Sequence, residues 1–280
     1  MHFDRASLMA SVLRLRWFAL AAMAIIAGCT PTKETYVERP VETLYNRAMD
    51  QLGAEAYDKA AKGFEEVDRQ HPYAVWATKA QLMAAYAYYQ GAKYDQSITA
   101  ADRFIQLHPG HRDVAYAYYL KALDYYIQIA DVGRDQKTTE QALNALSEVV
   151  RRFPDTKYAR DARLKIDLTR DHLAGKEMEI GRYYEREGSY LAAINRFRRV
   201  VDNYQTTTHV PEALHRLTEC YLSLGLTDEA ERTTAVLGFN YPGSEWYRDS
   251  YVLVTGGTAP APQPETESSS WFGRVVSALF

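Results

Sequence analysis

Along most of this chain apolar residues recur at helical spacing, and the recurrence itself repeats. The segments YDKAAKGFEEVDRQHP (57–72), YDQSITAADRFIQLHP (94–109), TEQALNALSEVVRRFP (139–154) and YLAAINRFRRVVDNYQ (190–205) follow one scheme. A small residue stands fourth (Ala60, Ser97, Ala142, Ala193), an apolar one eighth (Phe64, Ala101, Leu146, Phe197) and another eleventh (Val67, Phe104, Val149, Val200). Proline closes three of the four, and 227–242 repeats the plan with Ala230, Leu237 and Pro242. Steps of four and three place these positions on one helix face, and proline, which lacks an amide hydrogen, ends the helix.

A second amphipathic stretch precedes each of these helices across a turn at Ala54–Ala56, Gly91–Lys93, Gly188–Ser189 and Gly225–Leu226. Pro72 to Pro109 and Gly188 to Gly225 both span 37 positions. Two helices per unit of about 34 residues, with Ala, Tyr, Phe and Pro landmarks, is the tetratricopeptide (TPR) pattern. No alternating apolar run is long enough to build a sheet. The spacing predicts an all-α, right-handed superhelical solenoid of about five TPR helix pairs over 41–254. One interval departs from it: Pro109 to Pro154 spans 45 positions, with extra residues at 131–137. Residues 155–176 read as a helix without a partner that runs into the next unit. They form a stiff connector between an N-terminal half (41–154) and a C-terminal half (177–254).

In such solenoids the first helix of each pair lines a concave groove. With Ala48, Ala85, Ala122, Gly181 and Thr218 as packed anchors, the first three units aim Tyr45, Met49, Leu52, Leu82, Tyr86, Tyr89, Tyr116, Tyr119 and Tyr126 into it. The last two aim Met178, Arg182, Glu185, His215, Glu219 and Leu222. The groove is therefore expected to be aromatic at one end and charged at the other. The chain's 22 tyrosines against 9 phenylalanines fit that reading, because tyrosine couples a flat apolar face to a polar tip. Tyr88, Tyr118 and Tyr125 read instead as packing between helices. An aromatic groove suits an extended peptide rich in aromatic or apolar side chains. A second surface is basic: Arg196, Arg198 and Arg199 on the second helix of unit four offer forks for a partner's carboxylates.

The N-terminus carries Arg5, Arg14 and Arg16 ahead of an apolar run from Trp17 to Ala27, and then Gly28 and Cys29. The run is shorter than the roughly 20 residues that a membrane span needs. The arrangement is that of a secretory signal over 1–28, and its end resembles the bacterial lipobox. That resemblance implies lipidation of Cys29, a polar tether over 29–40, and, with Thr30 and not aspartate next, sorting to the outer membrane. Cys220 then has no intrachain partner and reads as a small core residue. A formal net charge of -3 gives no reason to expect nucleic acid as a partner. There is no GxSxG, no phosphate-cradling glycine loop, no HExxH and no Cys or His pair at metal spacing. No catalytic residue, cofactor or metal is expected. His71 and His108 precede prolines at helix ends, where they read as caps.

Lipobox and interrupted repeats together resemble the BamD family of outer-membrane assembly lipoproteins. The likeness rests on AYAYYQGAKYDQSITAADRFIQLHPGH (85–111), RLKIDLTRDHLAGKEMEIGRYYEREGSYLAAINRFRRVV (163–201) and EWYRDSYVLV (245–254). It implies a non-enzymatic subunit on the periplasmic face of the bacterial outer membrane, within the machine that inserts β-barrel proteins. It implies that the N-terminal repeats receive C-terminal signals of unfolded outer-membrane proteins. The C-terminal repeats would dock the barrel-shaped central subunit (BamA-like), alongside accessory lipoproteins, with the family's functional arginine falling on Arg196 after Asn195. The competing expectation is another periplasmic TPR lipoprotein, such as a coordinator of cell-wall synthesis. After Val254 a linker-like composition (255–270) precedes WFGRVVSALF (271–280), a short amphipathic tail that suits an accessory subunit, a membrane surface or the protein itself.

Overall fold

The computed structural model describes residues 38–258, so the signal segment, Cys29, most of the tether, most of the linker and the 271–280 tail lie outside the described residues. Eleven helices and no strand occur among the described residues. They are α1 (Val41–Gly53), α2 (Tyr57–Gln70), α3 (Val75–Gln90), α4 (Tyr94–Leu107), α5 (Val114–Ile127), α6 (Lys137–Arg152), α7 (Lys157–Arg186), α8 (Tyr190–Asn203), α9 (Val210–Ser223), α10 (Thr227–Asn240) and α11 (Glu245–Thr255). Each packs on its successor, and α1, α3, α5 and α7 also touch in sequence, as stacked helix pairs require. The described residues from Pro40 on form one compact unit, an all-α TPR solenoid.

The repeat positions explain the stacking. Ala60, Phe64, Val67, Ala101, Phe104, Ala142, Leu146, Val149, Ala193, Phe197 and Val200 are all fully buried. Ser97, at the fourth place of its repeat, is buried as well and its hydroxyl donates to the Ala85 carbonyl at 3.0 Å, so the small polar residue stitches α4 to α3. The second helices end alike: His71, His108, Phe153, Tyr204 and Tyr241 all leave the helical region with φ between -128° and -135°, and at His71, His108, Phe153 and Tyr241 the following proline disfavours any return to it. The turns inside four of the five pairs share a left-handed residue two places before the second helix. Glycine supplies it at Gly188 and Gly225, whereas Glu55 (φ 58°) and Ala92 (φ 55°) adopt it at a cost.

The long third interval forms the 128–136 loop, in which Asp131 Oδ1 accepts from the Gly133 amide at 2.8 Å. Residues 157–176 run on into the next unit, as the spacing suggests: they are the first two-thirds of α7, a continuous 30-residue helix whose N-terminus is capped by Thr156 accepting from the Ala159 amide. Gly181 lies where α7 meets α8: a Cβ there would stand 2.4 Å from the Phe197 ring. Glycine is required at that crossing for close approach.

Candidate peptide groove and arginine face

Five of the expected groove tyrosines come together. Tyr86 and Tyr89 on α3, with Tyr116, Tyr119 and Tyr126 on α5, are all half-buried. Rings from other elements extend the cluster: Tyr94 at the start of α4 meets Tyr89 edge-on at 6.3 Å, and Tyr158 of α7 lies 5.6 Å from Tyr116 and 5.2 Å from Tyr119. The Tyr119 hydroxyl donates to Asp161 Oδ2, which also receives Lys165 Nζ at 2.7 Å. Burial would raise the Asp161 pKa, but the bonds from Lys165 and Tyr119 outweigh it and hold the carboxyl below its ordinary range. Lys165 in turn rests 5.6 Å over the Tyr126 ring. Burial pushes the Tyr116 and Tyr119 phenols up, so these two hydroxyls stay protonated and able to donate. The result is a surface of ring faces with polar tips, held by one lysine and one aspartate.

Two expected members of the first three units, Tyr45 and Leu82, are buried instead. Tyr45 is a core residue, 4% exposed, its ring 5.5 Å from Phe64 and 4.8 Å from Trp76. Trp76, from the neighbouring unit, closes over it and removes it from the groove. Met49, by contrast, is 38% exposed and stays at the surface of α1. Leu82 is also buried, and Tyr88 packs inside as expected, its hydroxyl donating to Glu65 at 2.8 Å.

Sequence reasoning missed Tyr158, Asp161 and Lys165, because 155–176 reads as a connector. Their spacing of three and four along α7, an aromatic, an acid and a base on one face, is the signal that could have found them. It missed Asp124 too. That carboxyl is fully buried, both oxygens lack a hydrogen-bond partner among the described residues, and burial raises its pKa to about 7. The nearby Ser97 hydroxyl, already committed to the Ala85 carbonyl, offsets the effect of burial only in part.

The charged end is self-neutralised. Arg216 lies 2.8 Å from Glu219, 3.6 Å from Glu212 and 3.8 Å from Glu185, while Arg182 pairs with Glu212 at 2.8 Å. Burial raises the Glu185 pKa against the pull of Arg216. His215 is buried, bonded through Nδ1 to the Ser250 hydroxyl at 2.8 Å and stacked 5.1 Å from Trp246, so it ties α11 onto α9. Met178 is a core residue. Cys220 is buried, and burial and the Glu185 carboxylate push its thiol up to about 12, which makes it inert at neutral pH.

The arginines of α8 take separate roles. Arg196 Nη1 lies 3.1 Å from Glu177 Oε2 and Arg199 Nη1 3.3 Å from Glu177 Oε1, whereas Arg198 is exposed on another side of α8, within reach of Tyr221 of α9. No group of three or more His, Cys, Asp or Glu side chains able to hold a metal occurs among the described residues, and none of their helices is long and apolar enough to cross a membrane.

A family model described as "YfiO: Outer membrane lipoprotein" matches residues 37–237. The outer membrane protein assembly factor BamD of Caulobacter vibrioides is 52% identical over 88% of this chain and 82% of its own length. That of Rickettsia prowazekii is 48% identical over 82% of this chain and 92% of its own. The chain belongs to the BamD (YfiO) family. Within the BamD family match fall all the groove tyrosines, Asp124, Glu177 and the α8 arginines; α11 lies beyond it. Among solved structures, the TPR domain of P58(IPK) overlays with a TM-score of 0.40 at 16% identity, over 76% of this chain and 55% of that one.

Proposed function

We propose that this chain is a non-enzymatic lipoprotein subunit of the outer-membrane β-barrel assembly machinery, held at the periplasmic face of the outer membrane through Cys29. It serves there as scaffold and receptor. Family membership across 37–237 carries the reading, and the relatives' name, outer membrane protein assembly factor, supplies its direction. The tyrosine surface of α3, α5 and α7 receives aromatic and apolar side chains of unfolded outer-membrane proteins. Ring faces give contact area with little side-chain entropy to lose, and hydroxyl tips reach the peptide backbone. The α8 face, with Arg196 foremost and Arg198 and Arg199 beside it, docks the central barrel subunit through charge-assisted hydrogen bonds. Accessory lipoproteins complete the assembly.

Purification of the intact lipoprotein in mild detergent tests this directly. Recovery of a large outer-membrane barrel protein supports the assignment, and recovery of peptidoglycan synthases in its place defeats it. For the groove, a Tyr86→Ala, Tyr89→Ala, Tyr119→Ala triple variant weakens binding of a peptide from the end of an outer-membrane protein while helicity persists. Unchanged affinity sinks the receptor role.

A further inference from the structure

Glu177 of α7 sits between two arginines one helical turn apart on α8, giving one carboxylate oxygen to each. Each guanidinium therefore commits a single nitrogen to the contact, and its other N–H groups make no hydrogen bond among the described residues. The layering is ordered: Glu177 is 17% exposed, Arg196 29% and Arg199 57%. The carboxylate lies innermost, and the uncommitted edges of both forks lie outside it. Two guanidiniums side by side repel each other unless a shared anion holds them, and two arginines against one glutamate leave the trio with a net positive charge.

We propose that Glu177 is a positioning residue that pins Arg196 and Arg199 side by side, making their outward edges a preformed receptor for an acidic segment of a partner protein. This rests on the reading that α8 docks a partner, and adds to it the residue that builds the dock, the second arginine that shares it and the chemistry of what enters. Carboxylates fit because the guanidinium fork presents parallel N–H groups matched to two oxygens, and because two guanidiniums face one glutamate there, in a chain whose formal net charge is -3. Pinning matters because each long side chain immobilised in advance spares the complex that ordering cost on binding.

The test turns on a sign. Neutralising an acid beside an acid-binding site raises the local positive charge, so electrostatics alone predicts that Glu177→Gln tightens the complex. The same outcome follows if Glu177 competes with the incoming carboxylate. Loss of pinning predicts the reverse. In the full-length lipoprotein, measured by biolayer interferometry against the barrel subunit that co-purifies with it, E177Q weakens binding ~5- to 10-fold, mainly through faster dissociation. In the free protein, side-chain NMR shows the Arg196 guanidinium losing its fixed orientation. Equal or tighter binding by E177Q overturns the proposal. If Arg196→Glu leaves the barrel subunit bound as before, the docking role of α8 falls and this inference falls with it. If Arg196→Glu releases the partner but E177Q does not weaken it, only the positioning role is lost. Should E177Q fail to fold by circular dichroism, Arg199→Ala decides on an intact Glu177: affinity drops roughly threefold or more, and no change overturns the proposal.

Discussion

Asp124 makes the stability of the fold depend on pH, although water does not reach it. Its carboxyl is fully buried with neither oxygen hydrogen-bonded among the described residues, and its pKa rises from 3.8 to about 7. Because the folded pKa is raised, the acid stabilises the fold fully below its unfolded pKa and progressively less as pH climbs from about 4 to about 7. Above that window the native state must hold a buried charge. Linkage over a shift of about three units, at about 1.36 kcal/mol each, puts the full effect near 4 kcal/mol, of which about 2.5 kcal/mol falls between pH 5 and pH 8. Asp124→Asn keeps the shape and cannot ionise. Urea unfolding of a Cys29→Ser form, followed by circular dichroism, should therefore give two stability curves that diverge with pH. The variant gains about 2.5 kcal/mol on the parent between pH 5 and pH 8, whatever constant offset the buried amide imposes. Taking the difference between the two proteins cancels the groups that work in the opposite direction, such as Asp161 and Glu219, whose pKa values are held down. Parallel curves would refute the account.

Two further substitutions test the backbone. Gly181→Ala places a methyl group 2.4 Å from a fully buried phenylalanine ring; despite alanine's better helix propensity it should destabilise the fold by about 1–3 kcal/mol, read as a lower midpoint in urea. Ala92→Gly relieves a left-handed residue at the position that units four and five give to glycine, and should stabilise by up to about 1 kcal/mol, seen as a raised melting temperature.

The repeat architecture was legible because its rule is periodic. Ala60, Phe64 and Val67 announce a buried face by spacing alone, and all three are fully buried. The aromatic surface was legible to the same depth, since Tyr86 and Tyr89 on α3, and Tyr116, Tyr119 and Tyr126 on α5, fall at steps of three and seven along their helices. What spacing leaves out is the neighbour. Nothing around Tyr45 in the sequence announces that Trp76, thirty-one positions later, folds over its ring. Tyr158, Asp161 and Lys165 were hidden for a related reason: a helix that breaks the repeat length reads as a spacer, although its first turns complete the tyrosine cluster. Asp124 and Glu177 show the limit for charge. A lone carboxylate in a helical pattern reads as a solvated side chain, and only packing distinguishes the orphaned one from the one that binds two arginines.

A helix of thirty residues is about 45 Å long, and α7 spends that length touching both proposed surfaces. Tyr158 stands in its first turn among the aromatic rings, and Glu177, about 28 Å further on, holds the arginines. With its backbone hydrogen bonds unbroken in between, such a rod transmits displacement where a jointed linker would absorb it. If the two proposed surfaces are used together, a client wedged against Tyr158 would lean on a lever whose other arm carries Glu177, which gives occupancy at one face a mechanical route to the other.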